Sequence, residues 1–150
     1  MDAQAAVAIA RTIVPAGPEL SFASPVASPA VAIPDFDGTG VTSTLTLTNT
    51  GVGHVEFVKI LPTVTHPRTG DLEIVLTHAG TSSVLHVPHR CIPDSVTNQE
   101  VCSDIVDYPF GSVRHLDEPG DGDWTLTVKD PGIGSVGRLV AWKLVLYGRP

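Results

Sequence analysis

From residue 41 onward, apolar and polar side chains alternate with a period of two. In VTSTLTLTNT (41–50), Val41, Leu45 and Leu47 fall on one face and threonines on the other, as in a strand with one buried side. Val55 and Phe57 open the next strand after the turn Thr50-Gly51-Val52-Gly53. Leu72, Ile74 and Leu76 share a face in DLEIVLT. Val84, Leu85 and Val87 form a shorter apolar run, and Trp124, Leu126 and Val128 alternate with Thr125, Thr127 and Lys129. The last run, RLVAWKLVLY (138–147), puts Leu139 and Val145 on one face and Val140, Trp142, Leu144 and Leu146 on the other, the pattern of a central strand. About eight strands at this spacing predict an all-β, jelly-roll β-sandwich. No long helical pattern interrupts them, which excludes a doubly wound α/β fold.

Upstream, residues 1–14 predict a short helix. Asp2 is a candidate N-cap, Ala5, Ala6, Ala8, Ile9 and Ala10 are mostly good helix formers, and Pro15 stops the run. Residues 15–34 (PAGPELSFASPVASPAVAIP) hold five prolines among small residues. Residues 15–32 therefore read as a Pro-rich linker with extended backbone, joined to a body spanning 33–150.

Composition narrows the function classes. With 42% hydrophobic residues the chain of 150 residues has enough apolar material for one core. A formal charge of −7, with nine scattered Lys and Arg, argues against a nucleic-acid partner. No apolar run reaches the roughly 18 residues of a membrane span. The N-terminus does not read as a secretion signal, because Asp2 stands where a basic residue is needed and the apolar stretch is short. The acidic surface suits calcium binding or plain solubility.

Cys91 and Cys102 bracket the polar, Pro-containing loop CIPDSVTNQEVC. They read either as a local disulfide of an exported protein, which contributes about 3 kcal/mol in the chain-entropy model, or as two free thiols. Gly132-Ile133-Gly134-Ser135-Val136-Gly137 formally matches the dinucleotide fingerprint but runs straight into a strand, so it reads as a hairpin loop. No Gly-x-Ser-x-Gly elbow is present, and Ser82 and Ser83 sit between two expected strands. His86-x-x-His89 followed by Cys91 suggests zinc. On a strand, however, the two imidazoles would face opposite sides, and no fourth ligand is implied. Asp35 and Asp37 in one loop, and Asp117, Asp121 and Asp123 in another, are candidate calcium ligands, as is Asp71. The alternative is that they are turn-forming residues beside glycines.

Three stretches together resemble the P domain (P/Homo B domain) of furin- and kexin-like proprotein convertases and bacterial subtilases. AIPDFDGTGVTSTLTLTNTGVGHVEFVKI (32–60) resembles the opening Ile-Pro-Asp turn and first strands. VTHPRTGDLEIVLTHAGTSSVL (64–85) is similar to the His-x-x-x-Gly-Asp-Leu segment and Gly-Thr turn. GDWTLTVKDPGIGSVGRLVAWKLVLYG (122–148) resembles the Gly-x-Trp-x-Leu-x-Val strand and the closing Gly-x-Leu-x-x-Trp-x-Leu-x-Leu-Tyr-Gly. Gly70, Asp71, Leu72, Trp124, Gly137 and Trp142 carry the motifs. Physically, the Asp71 carboxylate is expected to accept backbone N–H bonds at the start of its strand, Gly137 to permit a tight loop, and both tryptophans to lie in the core. The stretch from 89 to 118, with its cysteine loop and DYPFGSVRHLDEP, departs from the convertase pattern.

The N-terminal Asp2, Ala3, Ala6 and Val7 resemble the last helix of a subtilase catalytic domain. The resemblance implies a galactose-binding-like jelly roll that is non-catalytic. It implies a secreted protein, a subtilisin-like catalytic domain in the same parent chain as partner, a stabilising and regulatory role, and calcium as a candidate cofactor. The alternative is a module that binds protein substrate or glycan.

Overall fold

A computed structural model of the chain describes residues 3–12, 17–93, 96 and 100–150. The expected cap Asp2 and stop Pro15 lie outside them. Helix α1 (Ala3–Ala10) forms as expected, and the Thr12 hydroxyl donates to the Ile9 carbonyl at its end, 2.8 Å away.

The strands are β1 (Leu20–Ala23), β2 (Val31–Ile33), β3 (Asp37–Leu47), β4 (His54–Thr65), β5 (Glu73–His78), β6 (Thr81–His86), β7 (Ile92–Pro93), β8 (Glu100–Val101), β9 (Ile105–Val106), β10 (Phe110–Ser112), β11 (Gly122–Asp130) and β12 (Gly137–Arg149). The six longest are the six that alternation marks out, and the rest are short edge pieces. They build two antiparallel sheets: β1-β12-β4-β10, with β2 also on β12 and β9 also on β4, and β3-β11-β5-β6. Strands β7 and β8 form a separate two-stranded ribbon.

The core lies between the sheets. One sheet supplies Leu47, Ile74, Leu76, Trp124, Leu126 and Val128, with Leu72 just ahead of β5; the other supplies Val55, Val58, Ile60, Val64, Leu139, Trp142, Leu144 and Leu146. Each fully buried side chain of this size contributes about 1.5–3 kcal/mol. Both indole N–H groups are satisfied: Trp124 donates to the Gly120 carbonyl (3.0 Å) and Trp142 to the Ser43 hydroxyl (2.9 Å).

Three expectations are corrected. First, the segment read as a linker is in part sheet: β1 and β2 pair with β12, Ala27 bridges Trp142, and Leu20, Phe22 and Val31 pack on the core. Pro25 and Pro29 fall between the bonded residues of this edge segment, where a missing N–H is tolerated. Second, Leu139 shares the core with Trp142, Leu144 and Leu146 rather than facing away with Val145. The register against β4 shifts between Leu139 and Ala141, so Val140 is an extra residue and the alternation changes phase. Third, Ser82 and Ser83 belong to β6 itself. Their hydroxyls bond Thr77 (2.9 Å) and Ser112 (2.7 Å), not an imidazole.

Candidate functional site

The His-x-x-x-Gly-Asp-Leu segment forms a 3-10 turn (Thr69–Asp71) between β4 and β5, and His66 anchors it. The ring is buried; Nδ1 accepts the Arg68 backbone N–H (3.0 Å), so Nε2–H donates to Asp130 Oδ2 (3.0 Å). Asp130 in turn accepts the Gly132 N–H at 3.0 Å. The distal nitrogen of this Asp–His pair is occupied by a backbone donor. The pair pins the turn to the end of β11. Asp71 does not accept a backbone N–H as expected; its carboxylate takes the Arg68 Nε–H at 3.0 Å and packs against Gly132. Gly70 leaves room for the His89 carbonyl and the Cys91 sulfur. In the β11–β12 hairpin the left-handed backbone (φ 97°) falls on Gly134. Gly137 instead makes space for the His66 ring.

A second buried group surrounds Trp124. His78 stacks on the indole at 3.8 Å, with its nitrogens 2.9 and 2.8 Å from the carbonyls of Asp123 and Pro119. His115 meets the indole edge-on and bonds Glu118 through Nδ1 at 2.9 Å. Sequence motifs gave no reason to single out His78, His115 or Asp130.

The six candidate calcium carboxylates are engaged separately. Asp35 accepts the backbone N–H groups of Gly134 (2.8 Å) and Ser135 (3.3 Å), and Asp37 that of Thr39 (2.8 Å). Asp117 pairs with Arg149 at 2.8 Å, and Asp123 accepts the Thr46 hydroxyl at 2.6 Å. Asp121 takes the N–H groups of Asn49 and Thr50 and the Thr50 hydroxyl. That hydroxyl first, then the two N–H groups, hold the Asp121 carboxyl below its ordinary value. Among the described residues no three His, Cys, Asp or Glu side chains are grouped to hold a metal ion.

Cys91 and Cys102 are joined in a disulfide. Beside it opens a cavity of about 530 Å³ whose wall includes His86, His89, Asp104, Ile105, Tyr108 and Phe110. His86 and His89 do not face opposite sides: their ring centres lie 4.7 Å apart. The pairing of β5 with β6 matches His86 to Ile74 and Val84 to Val75, leaving Leu85 as an extra residue. This bulge turns His86 away from strict alternation, and Pro88 follows two residues after the strand ends. Burial pushes the His86 imidazole below its ordinary value, against the raising effect of its bond to the Leu72 carbonyl.

Exposed apolar side chains occur on α1 and on the cysteine lobe, among other places. Every described residue of α1 is exposed, Val7 and Ile9 included. Ile92, Val101, Val106 and Tyr108 are exposed on the cysteine lobe. No helix among the described residues is long and apolar enough to cross a membrane.

Two antiparallel sheets packed face to face around buried tryptophans define an all-β sandwich domain. The profile of the proprotein convertase P-domain family matches residues 55–146, and the chain belongs to that family. Homo sapiens proprotein convertase subtilisin/kexin type 5 is 35% identical over 106 residues, covering 67% of this chain and 5% of that protein. Type 7 from the same organism is 31% identical over 135 residues, covering 85% and 16%. The chain thus spans a small part of these relatives. A crystal structure of an Aeromonas sobria serine protease in complex with a chaperone superposes with a TM-score of 0.75 at 22% identity. It covers 97% of this chain and 29% of that one, so the sandwich is shared.

Proposed function

We propose that the chain is the accessory P domain of an exported subtilisin-like serine protease, following the catalytic domain in the parent protein, stabilising it and regulating its activity. The observation that carries this reading is α1. A helix of eight residues is not stable alone in water, and its apolar side chains Val7 (53% exposed) and Ile9 (62%) touch nothing that buries them. A catalytic domain packed on α1 supplies the missing contacts. The disulfide fits an oxidising compartment. A glycan-binding role has less support, since the two tryptophans that would form a sugar platform are buried.

The mechanism is linkage: contacts made with the folded protease and not with its unfolded chain raise its stability. The test compares the parent protease with and without residues 33–150, by yield and melting temperature. A lower yield and an earlier melt without the domain are expected; equal values would remove the stabilising role.

A further inference from the structure

The cavity beside the disulfide brings together two imidazoles that the accessory role does not use. His86 Nδ1 lies 2.7 Å from the Leu72 carbonyl oxygen, and His89 Nδ1 lies 2.9 Å from that of Val87. A carbonyl oxygen accepts and never donates, so each ring carries its proton on Nδ1 and keeps a lone pair on Nε2. A histidine that ligates a metal is characteristically oriented this way, donating its other N–H to a backbone carbonyl.

Spacing and rigidity agree with a shared ion. Two imidazoles bound to one tetrahedral zinc at about 2.0–2.1 Å have ring centres on the order of 5 Å apart. Here the centres are 4.7 Å apart with the planes inclined by 55°. His89 is held in place on both sides: its N–H donates to the Gly70 carbonyl at 2.7 Å, and two residues later Cys91 is tied to Cys102. The Asp104 carboxylate stands on the wall of the same cavity and adds negative charge.

We infer that His86 and His89 form a binding site for a borderline divalent transition ion such as Zn²⁺, ligated through the two Nε2 atoms. Two protein ligands leave the other positions to water or to a side chain of a partner, so the ion is exchangeable rather than structural. Oxygen-seeking Ca²⁺ has no place at an imidazole pair. The site is independent of whether the domain stabilises a protease.

The test is calorimetric titration of the oxidised 150-residue chain with ZnCl₂ in a non-chelating buffer. It is paired with ¹⁵N spectra of the imidazoles, and repeated with CaCl₂. Saturable one-to-one uptake of zinc is expected, with the Nε2 resonances of both rings shifting and the Nδ1 protons retained. His89→Ala, at an exposed position, and His86→Gln, whose amide can still donate to the Leu72 carbonyl, are each expected to weaken binding about tenfold or more, with melting curves confirming that both fold. The double variant should lose it. No saturable uptake, uptake unchanged in the double variant, or a shift at Nδ1 instead of Nε2 would each overturn the site.

Discussion

The His66–Asp130 pair is a polar contact with both side chains buried. His66→Ala would leave the Asp130 carboxylate with the Gly132 N–H and strand the Arg68 N–H. Leaving a buried carboxylate short of a donor costs at least as much as for a neutral buried group, about 1–3 kcal/mol, so urea unfolding should show a loss of about 3 kcal/mol. A loss under about 1 kcal/mol, the level of exposed pairs, would mean that water reaches the carboxylate. Asp121 is a contrasting case at the surface. Its carboxyl titrates lower in the folded chain than in the unfolded one. The stability it contributes is therefore present above the unfolded value and is lost as pH falls through the folded one. Asp121→Ala should lower the melting temperature at neutral pH and flatten the acid limb of the melting profile. Because its partners are N–H and hydroxyl groups of residues 49 and 50, the drop should be the same in EDTA and in calcium. A drop seen in calcium and abolished by EDTA would show that the carboxylate holds an ion.

Between residues and the whole molecule, what could be read in advance depended on regular geometry. Ile74 and Leu76 on β5 with Leu72 just ahead of it, and Trp124, Leu126 and Val128 on β11, alternate without interruption, and all six are buried. Period-two reasoning suffices for such strands. It fails at bulges, because an inserted residue leaves no mark in composition and yet inverts every position beyond it. Val140 moved Leu139 into the core, and Leu85 redirected His86 toward His89. The same limit explains the N-terminal segment. Proline and small residues are common to linkers and to sheet edges, and what separates the two is the long-range pairing of residues 20–33 with β12. The disulfide was legible because its spacing is local. The roles of the carboxylates were not, since the donors to Asp35 and Asp121 lie about a hundred and about seventy residues away in the chain.

At the scale of the whole molecule, the decisive feature is that the sandwich is self-sufficient and α1 is not. The core closes between the two sheets without any residue of the helix. Changes to the helix should then leave the isolated chain unaffected and be felt where the helix is buried. The Val7→Asp, Ile9→Asp double variant separates these cases. In the 150-residue chain the melting temperature of the sandwich should not move, because both side chains are already in water. In the parent protease that we propose, burying each side chain would be worth about 1.5–3 kcal/mol, and a carboxylate placed there would add a desolvation penalty. The expected result is a clear fall in the melting temperature of the parent, with faster autolysis as unfolded chains are cleaved. If the parent tolerated both aspartates without change, α1 would not be the seam between the domains. The exposed apolar surface of the cysteine lobe, with Ile92, Val101, Val106 and Tyr108, would then be the face to test for protease contact.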